Sequence, residues 1–406
     1  MERLSALAGA SLRKGVCVLF LVSLLCTVLC GRVIAGLRRS DSSSLFFEHQ
    51  RQAMCSSRGV GIRYQSWRHR GISRRRFQLP PNLFNNVIAD YCTPSDVGKI
   101  QSDRVVVVTA IDTKHFEEAQ DLIRSFRTCL PNHMLVMVGM DLPEHMAEKV
   151  KRMCNVRYVN FDFEKYPDYV HFIGEYRFKP LVVHNVLFDK WNVVGFKPDA
   201  VFWADASVRF LCRDQDRQNR KVSAAEDFSN RWTQALALVD RIGVGWFTRE
   251  RWIAYYFIPD SMLKYFPTTL SDQNQLMPGS SSVLFSRSQP HLDSIVMWWV
   301  ACALDPNCML DKTWTPKDRW HTGNPSISKG SKYHLECFGL GEAQTILAEA
   351  STPKLVCSRP DQSALNVLCV NVNGRVSNAP PVTMVKREPT MFYRDDVIET
   401  CELDTV

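Results

Sequence analysis

The stretch Val201-Phe-Trp-Ala-Asp-Ala-Ser-Val-Arg-Phe210 is the part of this sequence that decides its fold. Its first four residues are apolar without alternation, which predicts a strand buried on both faces. Such a strand delivers the carboxylate of Asp205 and the hydroxyl of Ser207 at its carboxyl end. In open α/β sheets that end borders the ligand crevice. A carboxylate there can hold a divalent cation against a diphosphate, so the stretch predicts an enzyme that uses a nucleotide-linked donor.

Strands and helices alternate along the chain on both sides of this stretch. Apolar runs predict strands over 105–111, 134–138, 156–161, 242–247 and 282–285, and helical spacing predicts helices over 115–126, 143–153, 176–191, 291–304 and 362–370. This alternation predicts an α/β fold built on a doubly wound, mostly parallel sheet. Residues 371–406 show no strong period and are expected to wrap the domain surface.

Positive charge is concentrated near the N-terminus. The chain has 406 residues and a formal net charge of +8. Residues 1–35 contain 4 basic residues (Lys or Arg) and 1 acidic residue (Asp or Glu). Residues 36–99 contain 11 basic and 4 acidic residues, and residues 100–406 contain 35 basic and 37 acidic residues. The main body is therefore close to neutral, which argues against nucleic acid as a partner.

Residues 15–37 are interpreted as a transmembrane signal-anchor that follows a cytoplasmic tail at 1–14. The run from Gly15 to Gly31 carries no charge. A helix that crosses the hydrocarbon needs about 20 residues, which the segment provides if Arg32 extends toward the interface. A cleaved signal peptide is the alternative, although its apolar core is usually about 7–15 residues long. Basic residues flank both ends, so they do not fix the orientation.

The cysteines favour an oxidising compartment. Of the 14 cysteines, Cys302 and Cys308 flank a turn-like Asp-Pro-Asn and suit a local disulfide. Beyond the predicted span their number is odd, so at least one is unpaired. Buried free thiols in a cytosolic domain are the alternative. The sequence contains no Asn-x-Ser/Thr sequon, which weakens the lumenal interpretation.

Residues 38–99 are expected to form a basic stem that links the span to a catalytic domain at 100–406. The segment contains a basic run over 68–76 and a Pro80-Pro81 step, with no sustained period. A run of this kind can contact nucleic acid. Beside a membrane span, a solvated tether near anionic lipid or glycan is the preferred interpretation.

Four motifs carry a resemblance to a known class of enzyme. They are Lys165-Tyr166-Pro167, Tyr176-Arg-Phe-Lys-Pro180, Trp203-Ala-Asp-Ala-Ser-Val-Arg-Phe210 and Asp361-Gln-Ser-Ala-Leu-Asn366, within residues 103–370. In this order and spacing the chain resembles GT-A-type glycosyltransferases of the nucleotide-diphospho-sugar transferase superfamily, and more narrowly a poorly characterised type II membrane family. The resemblance implies a GT-A-like, Rossmann-type catalytic domain, a nucleotide-sugar donor and a glycan or protein acceptor. It also implies a single-pass type II protein of the Golgi membrane with a lumenal catalytic domain.

The resemblance also implies a donor site at the Asp205 strand. GT-A enzymes typically place an Asp-x-Asp pair there to hold Mn²⁺ or Mg²⁺, whereas Asp205-Ala206-Ser207 lacks the second carboxylate. Metal dependence therefore stays open, with Asp205 and Ser207 as the remaining oxygen ligands. Arg177, Lys179 and Arg209 are expected to neutralise the donor diphosphate instead. A strand-end cap that bonds nearby backbone amides is the less favoured alternative for Asp205, and solvated helical charges are the alternative for the two basic residues at 177 and 179.

Asp361 is the candidate catalytic base that removes the proton of the acceptor hydroxyl. It lies in the first turn of a predicted helix, where the helix dipole alone would also favour a carboxylate. Glu336 and Glu342 are alternatives in a Gly-rich stretch. His321 and His334 rank low as ligands for metal or phosphate.

Two further features have simple structural interpretations. The small residues of Pro278-Gly-Ser-Ser-Ser-Val-Leu-Phe285 let backbone approach a sugar, but a turn that leads into a strand explains them equally well. Trp298 and Trp299 are expected in the core rather than as a platform for stacking a sugar.

Two other functions compete with glycosyl transfer. A Rossmann methyltransferase or dehydrogenase needs a Gly-rich turn after its first strand, and Val108 to Lys114 contains no glycine. A membrane-tethered pseudoenzyme that kept the fold without turnover would explain the incomplete Asp-x-Asp.

Overall fold

A computed structural model of the chain describes residues 43–68, 71–95, 97–212, 224–309, 359–376 and 384–386. The chain divides into two compact units, residues 1–49 and residues 50–406. The predicted tail and span at 1–37 lie outside the described ranges, as do Glu336, Glu342, His321 and His334. Within those ranges, no helix combines the length and the apolar composition that a membrane crossing requires.

The described residues form ten strands and eleven α-helices. The strands are β1 Val60–Ile62, β2 Phe77–Gln78, β3 Val105–Ile111, β4 Met134–Gly139, β5 Val156–Asn160, β6 Ala200–Ala204, β7 Val208–Phe210, β8 Val244–Ile253, β9 Leu276–Ser286 and β10 Met384–Lys386. The helices are α1 (43–56), α2 Pro81–Asn86, α3 Phe116–Cys129, α4 Glu144–Lys151, α5 Phe178–Leu187, α6 Ala224–Ile242, α7 Asp260–Tyr265, α8 Leu270–Gln273, α9 Gln289–His291, α10 Met297–Leu304 and α11 Pro360–Asn373. A π-helical turn, Leu292–Val296, joins α9 to α10.

A six-stranded mixed sheet forms the centre of the second unit. The strand order is β5-β4-β3-β6-β9-β8. The first four strands pair in parallel, and β9 is antiparallel to both of its neighbours. Five strands therefore share one direction, which confirms the mostly parallel sheet that the sequence predicts.

Helices cover both faces of this sheet, as a doubly wound fold requires. Alternate residues of a strand point to opposite faces. Val106 and Val108 of β3 therefore join one buried cluster, together with residues of α5, α10 and α11. Val105 and Val107 join the other, together with residues of α3 and α6. Both faces of the sheet are thus covered by helices among the residues that the structure describes.

The helices α5 and α11 lack a polar face. All ten residues of α5 are buried, including Lys179, and α11 is buried from Pro360 to Asn371. A helix that is buried all round belongs to the core, and its polar side chains need internal partners. These polar side chains are therefore the first candidates for a functional site.

Residues 50–95 are part of the second unit, which corrects the expected stem at 38–99. Tyr64, Phe77 and Leu83 lie in the same buried cluster as β3 and α10. The disulfide Cys55–Cys92 closes this segment. Its strands have two or three residues each, too short for a period to stand out in the sequence.

The described cysteines are mostly paired. Disulfides join Cys55 to Cys92, Cys129 to Cys212, and Cys302 to Cys308. The predicted local disulfide between Cys302 and Cys308 is thus confirmed. Cys369 is free and buried in α11.

Candidate functional site

The carboxyl ends of β3 and β6 lie side by side, because the two strands are parallel neighbours. Asp205 directly follows β6, and Asp112 directly follows β3. The Asp205 amide donates to the Ser281 carbonyl (2.8 Å), and the Asp205 carbonyl accepts from the Val208 amide (2.9 Å). Asp205 therefore opens a tight turn into β7, a position at which aspartate is favoured. This edge is where open α/β sheets bind ligands, and we call it the rim.

The Asp205 side chain is neither sealed in the interior nor bonded only to main chain. It is 32% exposed. Its Oδ1 accepts a hydrogen bond from Trp203 Nε1 (2.7 Å) and lies 3.0 Å from Lys179 Nζ. Both contacts use the same oxygen, so they fix the orientation of the carboxylate while the side chain stays partly open to solvent.

Lys179, in the first turn of α5, joins two carboxylates. Its Nζ lies 3.0 Å from Asp205 Oδ1 and 3.5 Å from Asp361 Oδ2. The same Nζ lies 4.9 Å from the ring centre of Tyr176 and 5.2 Å from that of Trp203, within the range of cation–π attraction. Burial lowers the pKa of Lys179, but the Asp205 and Asp361 carboxylates outweigh it, and the net pKa is raised. Lys179 is therefore a fixed cation and not a nucleophile or base.

Tyr176 packs its ring over Lys179 from an unusual backbone conformation. Its φ is 53°, in the left-handed region, where a bulky non-glycine residue is an outlier. Burial raises the pKa of the Tyr176 hydroxyl, although the Lys179 charge opposes this. The phenol therefore stays neutral. Strained residues of this kind are concentrated at functional sites.

Asp361 is held at the start of α11 by contacts that fix the helix terminus. Its carbonyl accepts from Trp299 Nε1 (2.9 Å). Gln362 Nε2 donates to the Pro278 carbonyl, and Ser363 Oγ donates to the Phe257 carbonyl (2.8 Å). The Asp361 side chain is only 2% exposed. A catalytic base must reach the hydroxyl that it deprotonates, so this burial argues against the expected role of Asp361 as the base.

Arg177 lies in the core and not at the rim, which corrects its expected role in donor binding. Its side chain is fully buried, with Nε 2.6 Å from Glu175 Oε2. Its Nη1 donates to the carbonyls of Ala303 and Asp305, both at 2.9 Å. Arg177 therefore caps the carboxyl end of α10, where helix carbonyls lack intrahelical partners. Its hydrogen-bonding groups are committed to the fold.

Ser207 and Arg209 follow Asp205 along the chain. Ser207 lies in the turn between β6 and β7 and is partly exposed. Arg209 is on β7, where it pairs with Val385 of β10. Their roles in binding a donor stay predictions. The expectation that Trp298 and Trp299 belong to the core is confirmed, since they are 0% and 3% exposed.

The rim also carries an Asp–His pair that was not predicted from the sequence. His115 Nδ1 lies 2.5 Å from Asp112 Oδ1, and the His115 amide donates to the same oxygen (3.0 Å). The hydrogen bond to Asp112 raises the pKa of His115; partial burial opposes this, and the charges of Asp112, Glu118 and Asp205 add to the rise. This pair could have been predicted from the Asp-x-x-His spacing directly after a buried strand, because aspartate caps the turn that follows such a strand.

The Asp205 oxygen that Trp203 and Lys179 hold does not suit the divalent cation whose presence the sequence leaves open. The Asp205 oxygen that is held in place faces the Lys179 ammonium at 3.0 Å, and a Mn²⁺ or Mg²⁺ at that oxygen would be repelled by it. In the part of the chain that the structure describes, no group of three or more His, Cys, Asp or Glu residues could hold a metal ion. The counter-charge of Asp205 is therefore a lysine.

Comparison with known proteins gives a partial family match and distant structural matches. A family described as "Protein of unknown function (DUF1647)" matches residues 86–184. No curated protein matches the chain.

Three solved glycosyltransferase structures are similar to this chain at low identity. The bifunctional glycosyltransferase WbbM, in its apo form, is 14% identical over 70% of this chain and 40% of its own, with a TM-score of 0.33. The galactosyltransferase LgtC, in complex with donor and acceptor sugar analogues, is 10% identical over 46% of this chain and 59% of its own, with a TM-score of 0.25. Core-mannan synthase A from Aspergillus fumigatus, in a Mn/GDP form, is 9% identical over 49% of this chain and 66% of its own, with a TM-score of 0.25. The chain thus spans less than two thirds of each.

Replacing Lys179 tests the ion cluster. Lys179→Met leaves the buried Asp361 carboxylate without its counter-charge, so we expect the free energy of unfolding to fall by about 3–5 kcal/mol. Urea unfolding followed by tryptophan fluorescence measures this. The control Lys149→Met removes an exposed lysine and should change stability by no more than about 0.5 kcal/mol. Equal effects of the two substitutions would show that the cluster does not stabilise the fold.

Replacing Arg177 separates a structural role from donor binding. Arg177→Gln leaves Glu175 buried without its partner, so we expect a loss of about 3–5 kcal/mol in unfolding free energy. Donor affinity of the protein that remains folded should be unchanged in calorimetric titration. Arg157→Gln, on the exposed side of β5, is the control. A stable Arg177 variant with weakened donor binding would restore the donor-binding role.

The titration of His115 tests the Asp–His pair. In NMR spectra of histidine-labelled protein, we expect His115 to titrate above its ordinary pKa of 6.5, and Asp112→Asn to bring it back toward that value. Since the folded-state pKa is the higher one, the pair stabilises the fold below about pH 6.5, and this contribution is lost as pH rises through the folded-state pKa. His291 is the internal control, because burial lowers its pKa to about 4 and Asp112 plays no part. An unchanged His115 titration in the variant would contradict the assignment.

Proposed function

We propose that this chain is a glycosyltransferase that moves a hexosyl or related sugar from a nucleotide-sugar donor to a glycan or protein acceptor. The observation that carries the proposal is the Asp205–Lys179 pair, a partly exposed carboxylate at the carboxyl end of β6 with a buried ammonium 3.0 Å away. Ligands of open α/β sheets bind at that edge. The motifs that resemble those of GT-A-type glycosyltransferases support the same proposal, because they contain Lys179 and Asp205 and predict donor binding for both.

The charges at the rim suit a nucleotide-sugar. Lys179 lies 3.0 Å from Asp205 and so weakens the repulsion that a bare carboxylate would exert on a diphosphate. The other oxygen of Asp205 is left to accept hydrogen bonds from donor hydroxyls. A protonated His115 adds positive charge at the same edge, and Ser207 and Arg209 are expected to add further donor contacts. No step is assigned to a divalent cation.

Asp361 acts in this proposal as a positioning residue. Its buried carboxylate lies 3.5 Å from the Lys179 ammonium and helps to hold it beside Asp205. Glu336 and Glu342 stay predictions for the role of acceptor base.

The proposed setting is the Golgi membrane, with residues 15–37 as a type II anchor and the catalytic domain in the lumen. The apolar sequence of this segment supports an anchor. The three disulfides among the described residues support an oxidising compartment. Fluorescence microscopy of a tagged chain against Golgi markers checks the location.

A pseudoenzyme that kept the fold is the second candidate. The specific observation in its favour is that Lys179 pairs with both Asp205 and Asp361, so each carboxylate has a partner within the fold and needs no ligand for that purpose. Such a protein would bind a partner or a nucleotide-sugar without turning it over.

Replacing Asp205 distinguishes the two candidates. We expect the full chain to hydrolyse or transfer at least one nucleotide-sugar without added Mn²⁺, and Asp205→Asn to reduce the rate by about 100-fold or more, because a preorganised polar contact at the reacting group is lost. Coupled release of the nucleoside diphosphate measures the rate, and thermal unfolding shows that the variant is folded.

The matched control is Asp103→Asn, an exposed carboxylate just before the amino end of β3, at the opposite edge of the sheet. It should leave the rate unchanged. Turnover that is equal in both variants would refute the role of Asp205. Donor binding without turnover, with or without Mn²⁺, would favour the pseudoenzyme.

A further inference from the structure

The second unit contains a two-stranded ribbon that is rich in arginine. Strands β1 and β2 pair in antiparallel fashion, and a bridge between Gln65 and Ile72 extends the pairing. We call the described residues of this segment, 58–68 and 71–78, the arginine ribbon. No Asp, Glu or Lys occurs anywhere in residues 49–89, so the neighbouring sequence offers no counter-charge. The arginines of the ribbon are Arg58, Arg63, Arg68, Arg74, Arg75 and Arg76.

Two of these arginines lie opposite one another across the ribbon. Ile62 of β1 pairs with Phe77 of β2. Arg63 follows the first of these residues and Arg76 precedes the second, so the antiparallel register brings the two arginines together. Both are exposed, and Arg74 beside them is exposed as well. The ribbon therefore presents several guanidinium groups to solvent in a small area.

These guanidinium groups repel one another. Like charges that lie directly opposite across paired strands are destabilising. Arg76 also extends toward the first arm, because its Nη1 comes within 3.8 Å of the position that a Cβ atom would take on Gly61. Among the residues that the structure describes, no acidic side chain forms an ion pair with Arg63, Arg74 or Arg76. A bound anion would remove the repulsion that the fold leaves in place.

Arg68 connects the ribbon to the helix whose other end forms part of the rim. Its Nε lies 3.9 Å from Asp272 Oδ1, and its guanidinium lies so close to Gly374 that any side chain there would collide with it. Gly374 is the C-cap of α11, whereas Asp361, in the first turn of α11, pairs with Lys179. At about 1.5 Å per residue, the two ends of this helix are about 20 Å apart. A ligand that contacts both the ribbon and the rim is therefore an extended chain and not a single sugar.

The composition of the ribbon favours an acidic polysaccharide over other polyanions. Guanidinium groups bind planar anionic groups through paired hydrogen bonds. Proteins that bind single-stranded nucleic acid stack bases on aromatic rings, but no aromatic side chain of the ribbon is exposed. The exposed aliphatic side chains Val60 and Ile72 are single residues, as on an ordinary surface, and do not form an apolar patch. The disulfides also favour a compartment in which nucleic acid is not the expected partner.

We propose that the arginine ribbon binds a chain of acidic sugars, and that the acceptor is a carboxylated or sulfated polysaccharide. The inference rests on the proposed glycosyl transfer and narrows its acceptor to this class. The ribbon holds the chain at a distance from its reacting end and takes no part in the chemistry. Binding of this kind lowers KM for long acceptors and leaves kcat unchanged.

Calorimetric titration of the full chain with heparin, hyaluronan and dextran, in the absence of donor, tests the surface itself. Heparin carries sulfate and carboxylate groups, hyaluronan carries only carboxylate groups, and dextran is neutral, so the comparison identifies the group that is bound. We expect heparin or hyaluronan to bind, high salt to weaken the binding, and dextran not to bind. Arg63→Gln with Arg76→Gln should weaken it about 10-fold, since each exposed ion pair contributes up to about fivefold. The matched control, Arg152→Gln with Arg157→Gln, removes two exposed arginines outside the ribbon and should keep the affinity.

Three results of this titration would overturn the proposal. The first is no binding of either acidic polysaccharide, and the second is an equal loss of affinity in the control variant. The third is tighter binding of single-stranded RNA than of both polysaccharides, which would identify nucleic acid as the partner.

Kinetics separate this proposal from the proposed function. Asp205→Asn should lose turnover and keep the polysaccharide affinity. The ribbon variant should keep the rate of donor hydrolysis and raise KM for long acidic acceptors several-fold. An unchanged KM in that variant would refute the acceptor role of the ribbon while the transferase stands. A chain that binds the polysaccharide but turns over no donor would refute the transferase, and the acceptor role with it, while the binding surface stands.

Discussion

The rim depends on one buried ammonium that is shared by two carboxylates. Moving the Lys179 charge out of water is unfavourable unless it is paired with good geometry. Asp205 and Asp361 provide that pairing from β6 and α11, elements that are far apart in the sequence. The ion cluster therefore requires that α5, β6 and α11 meet at one point. It defines the shape of the sheet edge as well as its charge.

A series of contacts leads from Arg177 to this cluster. Arg177 caps the carboxyl end of α10. On α10, Trp299 donates to the Asp361 carbonyl and so fixes the start of α11. Asp361 then pairs with Lys179, and Lys179 with Asp205. An arginine that never reaches the rim thus supports the position of the residues that do, because packed elements transmit displacement.

The fold was largely predictable because its strands are buried on both faces. The strand over 105–111 matches β3 residue for residue, since an uninterrupted apolar run between polar residues leaves little choice. The helix expected over 176–191 is shorter, Phe178 to Leu187, because Tyr176 adopts a left-handed φ and Arg177 is its N-cap. The strands β1 and β2 were not predictable, because they are too short to show an alternation of apolar and polar residues.

The site was predictable in its residue types and not in their arrangement. Arg177 and Lys179 are two positions apart at a helix start, and such residues project to different sides of the helix. Sequence alone gives no reason why the lysine faces the rim and the arginine faces the core. The burial of Asp361 depends on α10 and on the Pro278 backbone, contacts across more than 60 residues of chain. The place of His115 at the rim could be predicted only if β3 and β6 were known to be neighbouring strands.

The unequal exposure of the two carboxylates favours a ligand site over a purely structural ion pair. A cluster that served only to hold three elements together would be most stable with both carboxylates enclosed and fully bonded. Asp361 is enclosed at 2% exposure, but Asp205 is 32% exposed. Its held oxygen is nevertheless fixed by both Trp203 and Lys179. An oriented carboxylate that remains open to solvent at a sheet edge is preorganised for a partner outside the fold, and the Lys179 ammonium holds its other side in place.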